Sequence, residues 1–225
     1  MVRAWDILDR LDSLDGTLEL RQRGTEFLIS IDGRVLMNSH ANRSEVALAT
    51  LGLADVRQRN APRILIGGLG MGCTLRAALD ALPADARVQV SEKNARIGRW
   101  CGEALAAING EALADARVDL AIEDVSARIG ASSACFDAIL LDLYEGPHAG
   151  TDSVADAFYG RRALQRTRSA LTHGGVFAVW SEDRDARFEA RLREAGFTVE
   201  SHRPGRGGRR HAVTVARVAA QRPQR

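Results

Sequence analysis

The sequence predicts an α/β fold in which a doubly wound, mostly parallel sheet follows a small N-terminal β-hairpin segment. Three observations carry this. From Arg63 onward, short apolar runs alternate with stretches of helical periodicity. A glycine-rich turn, residues 67–72, joins the first of these runs to the first of these helices. Upstream, Asp32-Gly33 separates two apolar segments, the pattern of a tight hairpin.

Taken in order, residues 17–39 read as strands, with 26–31 and 34–39 flanking the Asp-Gly turn. Residues 44–53 have helical spacing, and Asn42 or Ser44 can cap that helix. Strand 63–67 leads to helix 74–82, strand 87–91 to helix 95–108, and residues 117–122 form a third strand. Residues 136–142 are the most apolar run, which suits the centre of a parallel sheet. Helix 160–171, a turn at Gly174-Gly175 and strand 176–180 follow. A last helix over 183–195 leads into an antiparallel edge pair, 197–200 and 211–217. Right-handed crossovers then place ligands at the carboxyl ends of the strands. The expected division is a β-rich segment with a helix over residues 1–60 and a nucleotide-binding catalytic domain over 61–225.

Composition excludes several classes. Of 225 residues, 45% are hydrophobic and 27% charged, which is globular rather than disordered. No apolar run approaches the ~18 residues that span a bilayer, and residues 1–20 lack the layout of a signal peptide. A cytoplasmic protein without a membrane partner is expected. Cys73, Cys101 and Cys135 are too dispersed for a disulfide framework or a zinc site, so no metal is expected. They read as small core residues, with Cys73 a neighbour of any ligand at the glycine turn. The net charge of +2 gives no field for nucleic acid. The arginine cluster from Arg203 to Arg210 lacks interleaved aromatics and reads as a solvated hairpin tip.

Four strand ends carry chemistry. Gly67, Gly68, Gly70 and Gly72 let the backbone approach a ligand closely. Glu92, about 20 residues on, is placed to accept from ribose hydroxyls. Beyond the third strand, Asp124 can accept from an adenine amino group or cap the next helix, and Glu123 competes with it. Asp142 ends the central strand and, with Tyr144 and Glu145, forms an acidic wall suited to an amine. His148 lies near this wall, and His40 near the first helix. Trp100 and Trp180 read as core residues.

The order RILIGGLGMG, VQVSE, IED and AILLDLYEGP resembles the spermidine synthase-like branch of class I S-adenosylmethionine-dependent transferases. The entry segment ISIDGRVLMNSHANRSEVALATLGL and the later GGVFAVW resemble it too, so the similarity runs over residues 27–180. The resemblance implies a Rossmann-like class I methyltransferase fold. It implies that the glycine loop wraps the methionine portion and ribose of the donor, that Glu92 holds ribose and Asp124 adenine, and that Asp142 accepts the amine proton. It also implies a homodimer joined through the N-terminal hairpin. Three positions depart from that family: Gly70 replaces the loop Asp, Leu36 or Met37 stands at the hairpin Gln, and residues 142–147 keep two acids without the serines. The leading expectation is methyl transfer from S-adenosylmethionine to a small acceptor. The alternative is aminopropyl transfer from decarboxylated S-adenosylmethionine to putrescine, making spermidine. A non-catalytic nucleotide-binding module is the reading from another class.

Overall fold

The computed structural model describes residues 4–13, 16–151, 153, 155–205 and 211–218. At its N-terminal end β1 (Asp6–Ser13), β2 (Gly16–Arg23), β3 (Glu26–Ile31) and β4 (Arg34–Asn38) form an antiparallel meander in that order. Asp32 and Gly33 both take positive φ, 47° and 77°, as a two-residue hairpin turn requires.

Strand β1 has no counterpart in the sequence reading, because its aspartates and outward-facing residues give no apolar alternation. Tertiary contacts hold it instead. At the register shift between Ile7 and Asp9, Asp9 accepts from Trp100 Nε1 at 2.7 Å, Arg99 Nη2 at 2.8 Å and Arg96 Nη1 at 3.1 Å. The indole hydrogen bond, assisted by the arginines, lowers the Asp9 pKa to about 2. A lowered carboxylate pKa contributes stability that is complete above the unfolded value and is lost as pH falls through the folded one. Asp9→Asn is therefore expected to cost about 1 kcal/mol at pH 7, a figure discounted for solvent access. The difference from the parent should vanish near pH 2, as read by denaturant melts at the two pH values.

After α1 (Arg43–Gly52) comes the alternation expected of a doubly wound sheet. It runs β5 (Arg63–Gly67), α2 (Cys73–Ala81), β6 (Arg87–Glu92), α3 (Ala95–Gly102), α4 (Ala106–Asn109), β7 (Val118–Ile122), α5 (Val125–Gly130) and β8 (Phe136–Leu141). Then follow α6 (Arg161–Ala170), β9 (Leu171–Ser181), α7 (Ala186–Glu194), β10 (Phe197–His202) and β11 (Ala212–Val218). The seven strands lie in the order β10-β11-β9-β8-β5-β6-β7. Strands β9, β8, β5, β6 and β7 are parallel, and β11 and β10 add antiparallel at one edge.

One face of this sheet buries Leu48, Leu75, Leu79, Ile97 and Trp100 of α1, α2 and α3, together with Leu18, Leu20 and Ile29 of the N-terminal sheet. The other face buries Val125, Leu164, Phe188 and Leu192 of α5, α6 and α7. Helix α1 lies close on the sheet: a Cβ at Gly52 would come within 2.9 Å of the Ala178 methyl and closer to Leu140.

Two element expectations are corrected. The helix expected over 95–108 is broken into α3 and α4, with backbone turns from Glu103 to Leu105. The Gly174-Gly175 turn is a bulge inside β9, where Phe136 pairs with Leu171 and Ala138 with Val176. Arg59 holds this bulge by donating to the Gly174 carbonyl at 2.7 Å and to Asp137 at 2.7 Å. Residues 206–210 of the arginine cluster lie outside the described residues, and Arg203 pairs with Asp183 at 3.4 Å. Among the described residues no helix is long and apolar enough to cross a membrane.

Candidate functional site

The site is built at the carboxyl ends of β5, β6, β7 and β8. Beyond β5 the chain turns through Gly68, Gly70 and Gly72 at φ of 88°, 53° and 83°, values that L side chains rarely adopt. Each glycine also lies against a neighbour. A Cβ at Gly68 would drive into the Asp142 carbonyl oxygen, and one at Gly72 would lie 3.0 Å from Asn109 Cβ. At Gly70 it would overlap the Met37 thioether. The departures at the loop and at the hairpin are therefore one feature, and Met37 rather than Leu36 is its second half. Asn109, which the sequence reading missed, is buried and donates to the Cys101 and Met71 carbonyls, so it braces the loop from behind.

Glu92 is not simply solvated. Its Oε2 accepts from Leu69 N–H at 2.9 Å and its Oε1 from Asn94 N–H at 2.8 Å. The carboxylate thus ties the glycine loop to the start of α3, where Asn94 caps through Arg96 N–H at 2.9 Å. Each oxygen keeps a further lone pair.

At the end of β7 the structure separates the two competing acids. Glu123 folds back and accepts from Arg128 Nε at 2.8 Å and Ser91 Oγ at 2.7 Å, and these partners lower its pKa. Asp124 is exposed and caps α5, accepting from Ser126 N–H at 2.7 Å through Oδ1.

Asp142, just past β8, meets a partner that the sequence reading did not name. Thr74 Oγ1 donates to Asp142 Oδ2 at 2.6 Å, and Glu45 of α1 faces the same carboxyl. Glu45 is only 8% exposed, so two carboxyls share a poorly hydrated space. Its Oε2 accepts from Ser44 Oγ at 2.6 Å. Desolvation first, and the Glu45 charge second, push Asp142 up to about 7 against the pull of Thr74. The Cys73 thiol beside them is raised to about 11 by burial and by the same two carboxylates, so it is inert as a nucleophile at neutral pH.

Tyr144 and Glu145 lie outside this buried pair, both exposed. The Glu145 carbonyl accepts from the buried Tyr159 hydroxyl at 3.1 Å, which anchors the segment after Asp142. His148 accepts from Gly150 N–H at 3.0 Å in a local turn, and His40 pairs with Glu26 at 3.0 Å away from the acids.

The chemistry on offer is specific. Glycine backbone and a tethered Glu92 lie together at the strand ends. Beside them, Asp142, raised to about 7, faces Glu45, and two neighbouring carboxyls can hold a cation and accept a proton.

A seven-stranded α/β sheet in this strand order, with a glycine turn after β5, defines a Rossmann-like fold of the class I methyltransferase type. Within that class the chain has the spermidine synthase-like fold. It is similar to the crystal structure of spermidine synthase from Thermotoga maritima, with a TM-score of 0.75 and 18% identity over 96% of this chain and 74% of that one. A spermidine synthase in complex with the transition-state analogue AdoDATO matches with a TM-score of 0.74 and 17% identity, over 96% and 73% of the two chains. A probable spermidine synthase from Corynebacterium glutamicum matches with a TM-score of 0.65 and 20% identity, over 94% and 80%. At such identities the likeness carries the fold. In sequence, no family model and no curated protein matches the chain.

Proposed function

We propose that this protein is an alkyltransferase that takes an S-adenosylmethionine-type donor on residues 67–72 and delivers to an amine at Asp142. Aminopropyl transfer from the decarboxylated donor to a putrescine-like amine is the first reading. The observation that carries it is the partly buried Asp142 facing the buried Glu45 beside the glycine loop. Two carboxyls suit an ammonium group, and a plain binding module has no use for so costly an arrangement. The neighbouring spermidine synthase that binds AdoDATO supports the same reading.

The residues fit such a donor: the positive-φ glycines after β5 leave the backbone there without side chains, and Glu92 keeps further lone pairs for ribose hydroxyls. When bound, the donor supplies an activated sulfonium, so the protein's task is chiefly orientation. Glu45 and Asp142 hold the amine, Asp142 takes the proton it loses, and Thr74 keeps that carboxyl aimed at the cleft. Asp124 and Gly68 to Gly72 position the nucleoside.

A specific observation favours methyl transfer as the second reading. Where the loop meets the hairpin, Met37 and Gly70 present a thioether and a bare backbone rather than a polar pair. That apolar spot offers no counter-charge to an aminopropyl ammonium. Product analysis decides between them: the protein is incubated with putrescine and each donor in turn, and the amine product is identified by mass spectrometry. Spermidine formed only from the decarboxylated donor supports the first reading, and a methylated amine from S-adenosylmethionine the second. With either result, the double variant Gly70→Asp/Met37→Gln is expected to bind the decarboxylated donor about 10-fold tighter, the worth of one charge-assisted hydrogen bond. Titrations of the two donors read this. The φ of 53° at residue 70 is one that Asp tolerates.

A further inference from the structure

On the side of the sheet away from α1 and α2, helices α5 and α6 leave an open recess of about 360 Å³ between them. Gly130 and Ser132 line it at the end of α5, and Arg162, Gln165, Arg166 and Ser169 line it from α6. Those four residues recur at i, i+3, i+4 and i+7, one stripe of the helix. The stripe runs beside the one that α6 buries through Ala163, Leu164, Thr167 and Ala170. Arg166 spans the recess, since a Cβ at Gly130 would lie 3.7 Å from its Cδ.

The charges of α6 work against the helix itself. It carries four arginines and no acid. Arg161 and Arg162 stand in its first turn, where the helix dipole disfavours positive charge. Arg162 and Arg166 are like charges one turn apart, which repel. Arg161 answers Glu194 at 2.7 Å, and Arg128 of α5 answers Glu123 at 2.8 Å. Among the described residues, no carboxylate answers Arg162 or Arg166. Two uncompensated guanidiniums on one recess form an arrangement that a bound anion relieves.

The lining selects the kind of anion. A guanidinium only donates, and Gln165 and Ser169 add neutral donors. Ser132 gives its proton to the Arg128 carbonyl at 2.8 Å and so presents lone pairs. Two guanidiniums balance the charge of a phosphate monoester, about −2, and their forks match its oxygens. The space exceeds a single phosphoryl group and falls at the small end of ligand sites, which start near ~300 Å³. No aromatic ring lines it, so a nucleobase has no platform. Ser132 and the Gln165 amide suit hydroxyl groups on the body of the ligand instead.

We infer that the α5–α6 recess binds a phosphate monoester of a small polyol, at a site separate from the glycine loop and from Asp142. This site is independent of the proposed transfer reaction.

The test is calorimetric titration of the full chain with glucose 6-phosphate in moderate salt. Saturable binding of one ester per chain is expected, with a dissociation constant of about 1 mM or below. Glucose should not bind, and inorganic phosphate should bind more weakly than the ester. Arg162→Ala and Arg166→Ala should each weaken the ester about 10-fold, the worth of one charge-assisted hydrogen bond. Both residues are exposed, so the variants should melt no lower than the parent without ligand. Arg87→Ala is the control: that arginine is equally exposed and lines no part of the recess, and its loss lowers the net charge by the same amount. It should leave binding unchanged. No saturation by about 10 mM ester overturns the inference, as does equal weakening by Arg87→Ala, which would reduce the effect to a general field. Inorganic phosphate binding as tightly as the ester overturns the polyol assignment. A single-stranded oligonucleotide that binds more tightly than the ester, and is lost in the Arg162 and Arg166 variants, overturns it in favour of nucleic acid.

Discussion

Asp142→Asn is expected to lower the transfer rate by about 10²–10⁴-fold, the range for loss of a positioned general base. The same change should raise stability. In the parent, the Asp142 pKa of about 7 lies above the unfolded value of 3.8. Below pH 4 both states hold the proton and the group has no effect. Between about 4 and 7 the folded state binds more protons, so stability falls as pH rises. Above 7 the full penalty applies, at most ~4 kcal/mol and less to the extent that water reaches the carboxyl. The Asn variant should therefore melt higher than the parent at pH 8 and no higher at pH 4. The parent's rate should fall as pH drops through about 7, since the ionised form is the base. Glu45→Gln removes the second cause of the shift and should move that limb to lower pH, while desolvation keeps it above the ordinary carboxylate range. A rate in Asp142→Asn equal to the parent's would remove Asp142 from the chemistry.

Gly68→Ala is expected to be the most damaging single methyl group in the molecule. At φ of 88° the alanine is strained wherever its side chain goes. The methyl also meets the Asp142 backbone carbonyl, which the ladder from Asp142 N–H to Gly67 O at 2.9 Å holds in place. A loss of about 3–5 kcal/mol follows from strain and overlap together, read as a lowered denaturation midpoint with nucleoside binding abolished in whatever remains folded. Gly102→Ala serves as the contrast, since a Cβ there meets nothing within 4 Å.

Much of this architecture was legible because its signals are local. Alternating strand and helix periods, the glycine turn and the acids at strand ends all lie within short windows of sequence. The pieces that were not legible depend on contacts between distant segments. Glu45 reads in sequence as a first-turn acid on a helix, and only the seating of α1 on β8 and β9 turns it toward Asp142. β1 mixes aspartates with aliphatics in no alternating pattern and is held by Asp9 reaching Trp100. The choice between Glu123 and Asp124 was set by Arg128 and Ser91, which claim the first and leave the second to cap α5. Tyr144 and Glu145 follow Asp142 in sequence, and the structure leaves both side chains exposed beyond the end of β8.

The central claim is that the loop of residues 67–72 with Glu92 forms a nucleoside site. Calorimetric titration with 5′-methylthioadenosine, the portion common to both donors, tests it most directly. The account predicts saturable binding of one nucleoside per chain, weakened at least about 10-fold by Glu92→Gln, which loses the ribose contacts and loosens the Leu69 tether. Absence of binding at millimolar nucleoside, or binding that Glu92→Gln leaves unchanged, would contradict it.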